Sequence, residues 1–512
     1  MMVETKLKSS FANQISKNIA SGWLSIGLMV SVSIILTPLL LNSFGKEVYG
    51  IWLLIFNFLA YFYLTDFGIT NAITRLYAKY NVDQNLDAAK LVSTAYITVF
   101  IIDVCLLIIL LTFKDAVYSF LEIKEEFYRL FTVLFYVGIF ELITQFILRV
   151  NIGIIKGSHR FDVAYRFEGL AAVLRLGSVF TLLYLNSFDV VLFAILYSGS
   201  KILSDSLSFA HITEQLKTFK FTFDKRSFVD LFDMGTSSLV ISLAGVLLNS
   251  LPILLFGKVF GVEKVFLYSI PFAISIILTR IINAIYHGLS PKSAELKVFE
   301  DQKKILEISS FGVKFAVLLC FCFVSFFISF GQEIMHLWLG ATVLGSHDFQ
   351  VMYQILIALL GYVFLETSQK PNIFIYKSVG LHWVVTIETL CSVVVFLLFS
   401  LLTYEFAKEM VFALALLSVG VFKYFYYKFV GRKKIQTYSL PLMFTIATAV
   451  VLIFLFSINH FDNLMIKVLI FSTSSFTFIF LFIKNIFSAQ EQETINSQFI
   501  RLGDKVSMIF KN

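Results

Sequence analysis

The sequence predicts an all-α polytopic membrane protein with about fourteen membrane-spanning helices. Of its 512 residues, 58% are hydrophobic and only 15% are charged, and the mean hydropathy is +0.84. Soluble domains carry about 25% charged residues. A bilayer core about 30 Å thick needs about 20 apolar residues in a helix, and the chain contains about fourteen such runs. The composition therefore excludes a set of soluble domains.

The first half is predicted to form six spans joined by short polar connectors. The segment 1–17 is polar and basic, and the apolar run after it is too long for a cleavable signal core. We therefore expect that run to be retained as the first span. The six spans are predicted at 18–41, 50–70, 91–113, 130–153, 169–185 and 189–209.

The second half repeats this plan after a long polar connector at 210–233. Its six spans are predicted at 234–256, 265–286, 311–331, 351–368, 381–403 and 408–428. Two further spans at 441–458 and 463–483 have no counterpart in the first half. The predicted organisation is therefore a segment 1–17, a lobe 18–209, the connector 210–233, a lobe 234–428, additional helices within 429–483, and a tail 484–512.

Lysine and arginine residues alternate between connectors in a way that predicts orientation. With the N-terminus inside, inner segments hold about 28 basic residues and outer loops about 8, as the positive-inside rule requires. Both termini are then cytoplasmic, and no large outer domain exists. The net charge of +7 is explained by this topology, so we expect no nucleic-acid partner.

A short segment occurs once in each half and indicates duplication. Leu36 to Trp52 ends one apolar run, turns through Phe44-Gly45-Lys46-Glu47 and opens the next run. Leu251 to Tyr268 does the same through Phe260-Gly261-Val262-Glu263-Lys264, about 216 residues later. Coincidence is the alternative for so short a match. A duplicated unit is typical of transporters built from two repeats.

No motif in the chain indicates an enzyme. There is no GxxxxGK[ST] loop for ATP, and no HExxH, CxxC or GxSxG. The four cysteines lie in apolar runs, where cysteine behaves as a small hydrophobe. We therefore expect neither a disulfide nor a metal site, and no cofactor beyond a coupling ion.

Three acidic residues within the spans are candidates for ion coupling. Asp103 and Glu141 lie near the middle of the third and fourth spans, and Asp66 lies near an inner helix end. An ionisable group at a helix centre costs about 2.5–3.5 kcal/mol and therefore faces a partner or a wet cavity. Asp66 has a local helix cap as its alternative role. We expect Na⁺ or H⁺ to bind at one of them.

Four basic residues within the spans are candidates for binding an anion. They are Arg149, Arg175, Arg280 and Lys423. Arginine keeps its charge at any working pH, so several arginines around a chamber favour an anionic ligand. Ion pairs within the protein are the alternative, and Lys423 can also snorkel to the interface. Lys201 and Asp205, four residues apart, are expected to neutralise each other.

The opening of the chain resembles a known family of bacterial membrane proteins. Leu36 to Trp52, Tyr63 to Ile69 and Arg75 to Ala78 are similar to the start of oligosaccharide flippases that move O-antigen or capsule repeat units. These belong to the multidrug/oligosaccharidyl-lipid/polysaccharide exporter (MOP) superfamily. Length, helix number and the repeat near residue 250 extend the resemblance along essentially the whole chain.

The resemblance implies a fold, a cargo and partners. Two six-helix lobes would form a V, as in the MATE exporters of the same superfamily, with the two extra helices appended. The cargo would be an undecaprenyl-pyrophosphate-linked oligosaccharide, turned over in the bacterial inner membrane, with Arg149, Arg175, Arg280 and Lys423 receiving its pyrophosphate and acidic sugars. The partners would be this lipid-linked oligosaccharide, membrane lipids, and a polysaccharide polymerase with its chain-length regulator.

Other functions remain open at this stage. A cation-coupled multidrug exporter of the same fold would need a net acidic cavity, which the arginines argue against. A lipid II flippase follows the same electrostatic logic as an oligosaccharide flippase. A membrane glycan polymerase needs a larger outer loop, and a structural scaffold needs no carboxylate at the membrane midplane.

Overall fold

The computed structural model describes residues 2–64, 68–80, 87–158, 160–185, 189–213, 221–287, 302–340, 344–378, 380–430, 438, 441–457, 463–488 and 491. These residues form helices and connecting turns. The α-helices are α1 (Met2–Ala60), α2 (Ile69–Tyr80), α3 (Ala88–Thr112), α4 (Lys114–Phe120), α5 (Tyr128–Gly157), α6 (Phe161–Tyr184), α7 (Val190–Ser206), α8 (Ser208–His211), α9 (Lys225–Phe260), α10 (Val265–His287), α11 (Gln302–Leu339), α12 (Ser346–Ser378), α13 (His382–Ala407), α14 (Val411–Phe429), α15 (Leu442–Ser457) and α16 (Leu464–Ile486).

Within the described residues, eleven helical segments are long and apolar enough to cross a membrane. Two of them, Ala20–Tyr63 and His382–Phe429, are 44 and 48 residues long. Each contains a break, at Gly45 in the first and at Lys408 in the second, where φ is positive. The prediction of an all-α polytopic membrane protein is confirmed, and the total of fourteen crossings stays a prediction.

The repeated loops share one backbone conformation. Gly45 has φ 76° and ψ 172°, and Gly261 has φ 92° and ψ 153°. Side chains other than glycine rarely adopt positive φ, so the same residue is required at both positions. Each glycine separates an apolar helix that contains a proline, Pro38 or Pro252, from the next helix. The two sharp bends agree with the duplication that the sequence indicates.

The helices extend beyond the predicted spans because polar flanking residues continue the same helical turns. The span predicted at 311–331 lies within α11, whose bounds are Gln302–Leu339. The connector predicted at 210–233 already contains the start of α9, because Asp224 accepts a hydrogen bond from the Ser227 N–H at 2.8 Å and caps the helix. Apolar character marks the membrane-buried part of a helix and not its ends.

The helices pack as two bundles. In the first, called the N-lobe, α1 packs on α5 and α6, and α5 packs on α2, α3 and α7. In the second, called the C-lobe, α12 packs on α10, α11 and α14, and α13 packs on α14. Helix α9 contacts α1, α2 and α3 as well as α10 and α13, so it joins the two bundles.

One end of the molecule, called the connector end, carries the segment between the lobes. The Thr222 N–H donates to Ser93 Oγ at 2.9 Å, and the Tyr80 hydroxyl donates to Asp230 Oδ2 at 2.6 Å. Burial and the hydrogen bond to Asp230 raise the pKa of Tyr80 to about 12. The phenol therefore stays protonated at neutral pH, and this contact attaches α2 to the start of α9.

The opposite end, called the loop end, carries the two glycine loops, and there the lobes pack closely. A Cβ atom at Gly50 would lie 2.0 Å from the Val262 carbonyl oxygen, so α1 and the second loop touch through their backbones. Trp338 Nε1 on α11 donates to the Ile34 carbonyl on α1 at 2.6 Å. The lobes are therefore in direct contact at this end.

Candidate substrate and ion sites

Arg175 and Glu141, which the sequence assigns to substrate and ion binding, lie together inside the N-lobe. Arg175 Nη2 on α6 is 3.5 Å from Glu141 Oε1 on α5. The Arg175 guanidinium also stacks on Tyr197, 3.9 Å from the ring centroid. Ser198 Oγ donates to Glu141 Oε2 at 2.6 Å. The carboxylate is thus held by an arginine and a hydroxyl, which is the ion-pair arrangement that sequence analysis left open.

Arg149 is held by an aromatic ring in place of a carboxylate. Its guanidinium carbon is 4.1 Å from the centroid of the Tyr63 ring, and the side chain is half-buried on α5. Tyr63 belongs to a 3₁₀ turn, Tyr61–Leu64, that ends the first long helix. Among the described residues Arg149 forms no ion pair. A cation held against a ring keeps N–H groups free to bind an anion.

Arg280 is a candidate substrate cation in the C-lobe. It lies on α10, a helix that packs against α1 of the N-lobe, and its side chain is exposed on the protein surface. Arg280 lies within the candidate span Val262–Asn283. In the part of the chain that the structure describes, no carboxylate pairs with it. Arg149 and Arg280 are therefore the two predicted substrate residues for which the described residues provide no carboxylate partner.

Lys423 lies in a buried charge network of the C-lobe. Its ammonium is 3.5 Å from Glu366 Oε1 and 3.5 Å from Glu388 Oε1. Lys370 Nζ lies 2.7 Å from the same oxygen of Glu366. Tyr427 donates to Glu388 Oε2 at 3.0 Å. Two carboxylates therefore already balance Lys423, and an anionic substrate would have to displace them.

Asp103 is buried in the N-lobe without a described partner. Its side chain is 2% exposed, and neither carboxylate oxygen has a hydrogen-bond partner among the described residues. Gln145 Nε2 on the neighbouring α5 is buried and unsatisfied as well. Tyr96 on α3 donates to Asn151 on α5. Because α3 and α5 run antiparallel, Asp103 and Gln145 lie at similar depth along these helices.

The remaining predicted residues have separate outcomes. Asp66 lies outside the described residues. Lys201 and Asp205 pair with each other at 2.7 Å, as their spacing predicts. Sequence reasoning missed Lys370, although its position four residues after Glu366 is a signal for that pair. It also missed Tyr63 and Tyr197, whose stacking on arginines has no local sequence signal.

An apolar groove separates the two C-terminal helices. It has a volume of about 990 Å³ and lies between α15 and α16. Its lining residues include Phe444, Val451, Phe454, Ile470, Phe478 and Leu481. Apolar clefts of this volume are typical of ligand-binding pockets.

The fold is shared with solved transporters. The structure of a "Lipid II flippase MurJ, inward closed conformation" superposes with a TM-score of 0.66 at 14% identity, covering 93% of this chain and 99% of the other. An inward-facing multidrug resistance MATE family transporter of the MOP superfamily gives 0.60 at 14% identity, covering 82% and 94%. A MOP superfamily transporter from Pyrococcus furiosus gives 0.60 at 16% identity, covering 81% and 92%.

These findings define first a class and then a family. The class is an all-helical membrane protein that shares its fold with solved flippases and transporters of the MOP superfamily. The profile of the family described as "Polysaccharide biosynthesis protein" matches residues 15–297. The chain belongs to that polysaccharide biosynthesis protein family. A comparison with curated protein sequences finds no match.

Proposed function

We propose that this protein turns over undecaprenyl-pyrophosphate-linked oligosaccharide repeat units from the cytoplasmic to the outer leaflet of the bacterial inner membrane. The product would supply O-antigen, capsule or exopolysaccharide synthesis. The observation that carries the proposal is the pair of cations Arg149 and Arg280, which have no carboxylate partner among the described residues. Moving a doubly charged pyrophosphate out of water is costly unless cations pair with it, and Arg149 and Arg280 are such cations.

The proposed mechanism is alternating access between the two lobes. The contacts between the lobes at the loop end support an entrance at the connector end, which the charge pattern predicts to be cytoplasmic. The pyrophosphate and the glycan would remain in a wet chamber between the lobes. The prenyl chain would stay in the hydrocarbon, and the apolar groove between α15 and α16 would receive part of it. No charged group is then dragged through lipid.

Ion coupling is assigned to Asp103. Glu141 is already held by Arg175 and Ser198, whereas Asp103 has a carboxylate without a partner in the described part of the chain. Binding of H⁺ or Na⁺ would remove its desolvation cost in one conformation of the cycle. One charge crossing the membrane field gains about 2.3 kcal/mol per 100 mV, which is enough to bias the cycle.

The proposal is tested in proteoliposomes of purified full-length protein. Lipid-linked oligosaccharide, lipid II and ethidium are compared as substrates, each against empty liposomes and against an Arg149→Ala/Arg280→Ala double variant. Oligosaccharide movement that the double variant loses supports the proposal. Preferential movement of lipid II would assign the protein to lipid II transport, and preferential movement of ethidium would make it a multidrug exporter.

A further inference from the structure

The connector between the lobes enters α9 through an extended stretch that is hydrogen-bonded to α3. The Thr222 N–H donates to Ser93 Oγ at 2.9 Å, and the Asp224 N–H donates to Thr94 Oγ1 at 3.0 Å. Both serine and threonine are fully buried. Because two N–H groups of the stretch are bound to one helix, its backbone is held at a fixed place on the N-lobe.

Two phenylalanines of this stretch lie on the protein surface. Phe221 is 81% exposed and Phe223 is 53% exposed. The centroid of the Phe223 ring lies 5.3 Å from that of Phe228, in the first turn of α9. This contact orients Phe223 and leaves about half of its surface uncovered. Large apolar rings in water are unfavourable, so we expect both rings to be covered by the membrane.

The hydrogen bonds to α3 place these rings near the boundary of the hydrocarbon. The candidate span Ala88–Thr112 is 25 residues long, or about 37 Å, and therefore exceeds a hydrocarbon core of about 30 Å. Ser93 lies two residues after Leu91, where the apolar run of α3 begins, which corresponds to a rise of about 3 Å. The stretch bonded to Ser93 therefore lies at headgroup depth, where interfacial segments insert phenylalanine.

Two cations follow the phenylalanines in the first turn of α9. Lys225 and Arg226 are exposed, and neither forms an ion pair within the described part of the chain. Cations in this position meet the positive end of the helix dipole, so an external anion nearby stabilises them. The sequence places Lys217 and Lys220 shortly before the stretch, and these two lie outside the described residues.

The two carboxylates closest to these cations in the sequence already have partners. Asp224 Oδ2 accepts the Ser227 N–H at 2.8 Å and caps α9, and it also interacts electrostatically with Arg226. Asp230 Oδ2 accepts a hydrogen bond from the Tyr80 hydroxyl at 2.6 Å. The N–H groups of Lys225 and Arg226 therefore remain available to an anion outside the protein.

We propose that Phe221, Phe223, Lys225 and Arg226, called the connector strip, bind anionic phospholipid headgroups of the leaflet at the connector end. The rings insert between the headgroups, and the cations contact the lipid phosphates. Bound lipid then anchors the connector to the leaflet at the place where it is already bonded to α3. This lipid site goes beyond the proposed function and is independent of the substrate that the protein moves.

The test is quenching of a tryptophan reporter by brominated lipids, with the full-length protein in phosphatidylcholine bilayers. Phe221→Trp places the reporter in the connector strip, and subtraction of the wild-type signal removes the native tryptophans. Brominated phosphatidylglycerol and brominated phosphatidylcholine are titrated separately. We expect the reporter to prefer phosphatidylglycerol about tenfold or more. Lys225→Ala and Arg226→Ala should each lower this preference about fivefold, the factor that about 1 kcal/mol per cation represents.

Two control variants accompany the alanine variants, all in the reporter background. Arg129→Ala removes an exposed cation from the first turn of α5 and should leave the preference unchanged. Lys225→Arg keeps the charge and should retain the preference. Size-exclusion chromatography and thermal unfolding identify variants that do not fold, so that a loss of preference is read only from folded protein.

Each outcome supports or overturns the proposal. Equal quenching by the two lipids would overturn it, because the headgroup charge would then not be recognised. Absence of quenching by both lipids would overturn it too, since the connector strip would then face water or protein. An unchanged preference in folded Lys225→Ala and Arg226→Ala proteins would assign the anionic lipid to other residues. Transport of any substrate is not part of the readout, so a failure of the proposed function leaves this result standing.

Discussion

Lys46 Nζ lies 2.6 Å from Asp348 Oδ2 and joins the N-lobe to the C-lobe at the loop end. Lys46 follows the Gly45 bend, and Asp348 lies in the first turn of α12. The Lys46 ammonium also lies 5.3 Å from the centroid of the Phe266 ring on α10. The second loop makes its equivalent ion pair, between Lys264 and Glu409, within the C-lobe. Of these two ion pairs, only that of the first loop ties the lobes together.

Breaking this ion pair should favour opening at the loop end. The side chains of Lys46 and Asp348 are 31% and 21% exposed, so solvent screening limits the pair to about 0.2–1 kcal/mol. Asp348→Asn should therefore raise the open-to-closed ratio up to about fivefold. Spin labels at Glu126 and Glu405, both exposed, report the distance between the lobes. Lys46→Asp/Asp348→Lys is the restoring control. An unchanged distance distribution in Asp348→Asn would contradict a role of this ion pair in closing the loop end.

Tyr63 is predicted to orient Arg149 for the substrate. Tyr63→Leu removes the ring that holds the guanidinium at 4.1 Å. Because such contacts contribute about 0.5–2 kcal/mol, the KM for lipid-linked oligosaccharide should rise about 2- to 30-fold. Tyr63→Phe keeps the ring and should behave as wild type. A loss in the phenylalanine variant equal to that in the leucine variant would show that the hydroxyl, and not the stack, is required.

Lys423 is predicted to contribute mainly to stability. Lys423→Met leaves Glu366 and Glu388 without their shared cation, and removing one partner of a buried ion pair costs about 3–5 kcal/mol of the free energy of unfolding. Lys423→Met/Glu388→Gln removes a carboxylate with the lysine and should recover a large part of that loss. Thermal unfolding in detergent measures both variants. If the double variant is stable but binds no lipid-linked oligosaccharide, Lys423 is a substrate residue, as sequence analysis predicts.

Asp103 is predicted to carry the dependence on the ion gradient. Asp103→Asn is nearly isosteric and fixes the side chain in a neutral form, so transport should lose its response to imposed pH or Na⁺ gradients. Glu141→Gln is the matched control, because Glu141 is already held by Arg175 and Ser198. Transport rates in proteoliposomes under each gradient give the comparison. Gradient dependence that survives in Asp103→Asn and disappears in Glu141→Gln would reverse the assignment.

The sequence predicts well what depends on local composition. Long apolar runs identify the helices, and the glycine at each repeated loop predicts the shared bend at Gly45 and Gly261, since positive φ favours glycine. The pair Lys201–Asp205 follows from a four-residue spacing. All of these features are properties of one helix or one turn.

Partners on different helices are beyond the sequence. Arg175 and Glu141 are 34 residues apart, and their contact depends on the packing of α5 against α6. Lys423 meets Glu366 and Glu388 only because three helices converge. Side chains that look alike in the sequence thus divide into paired charges and charges without a partner among the described residues. That division is decided by tertiary packing, which a single sequence does not reveal.

Arg149 and Arg280, which have no carboxylate partner among the described residues, are proposed to receive the pyrophosphate of a lipid-linked oligosaccharide. The direct measurement is the initial rate of oligosaccharide flipping in proteoliposomes for wild type, Arg149→Ala, Arg280→Ala and the control Arg129→Ala. The account predicts a loss of about tenfold or more in the first two variants, since a charged hydrogen bond contributes about 1.5–3 kcal/mol, and no change in the control. Wild-type rates in folded Arg149→Ala and Arg280→Ala proteins would contradict it.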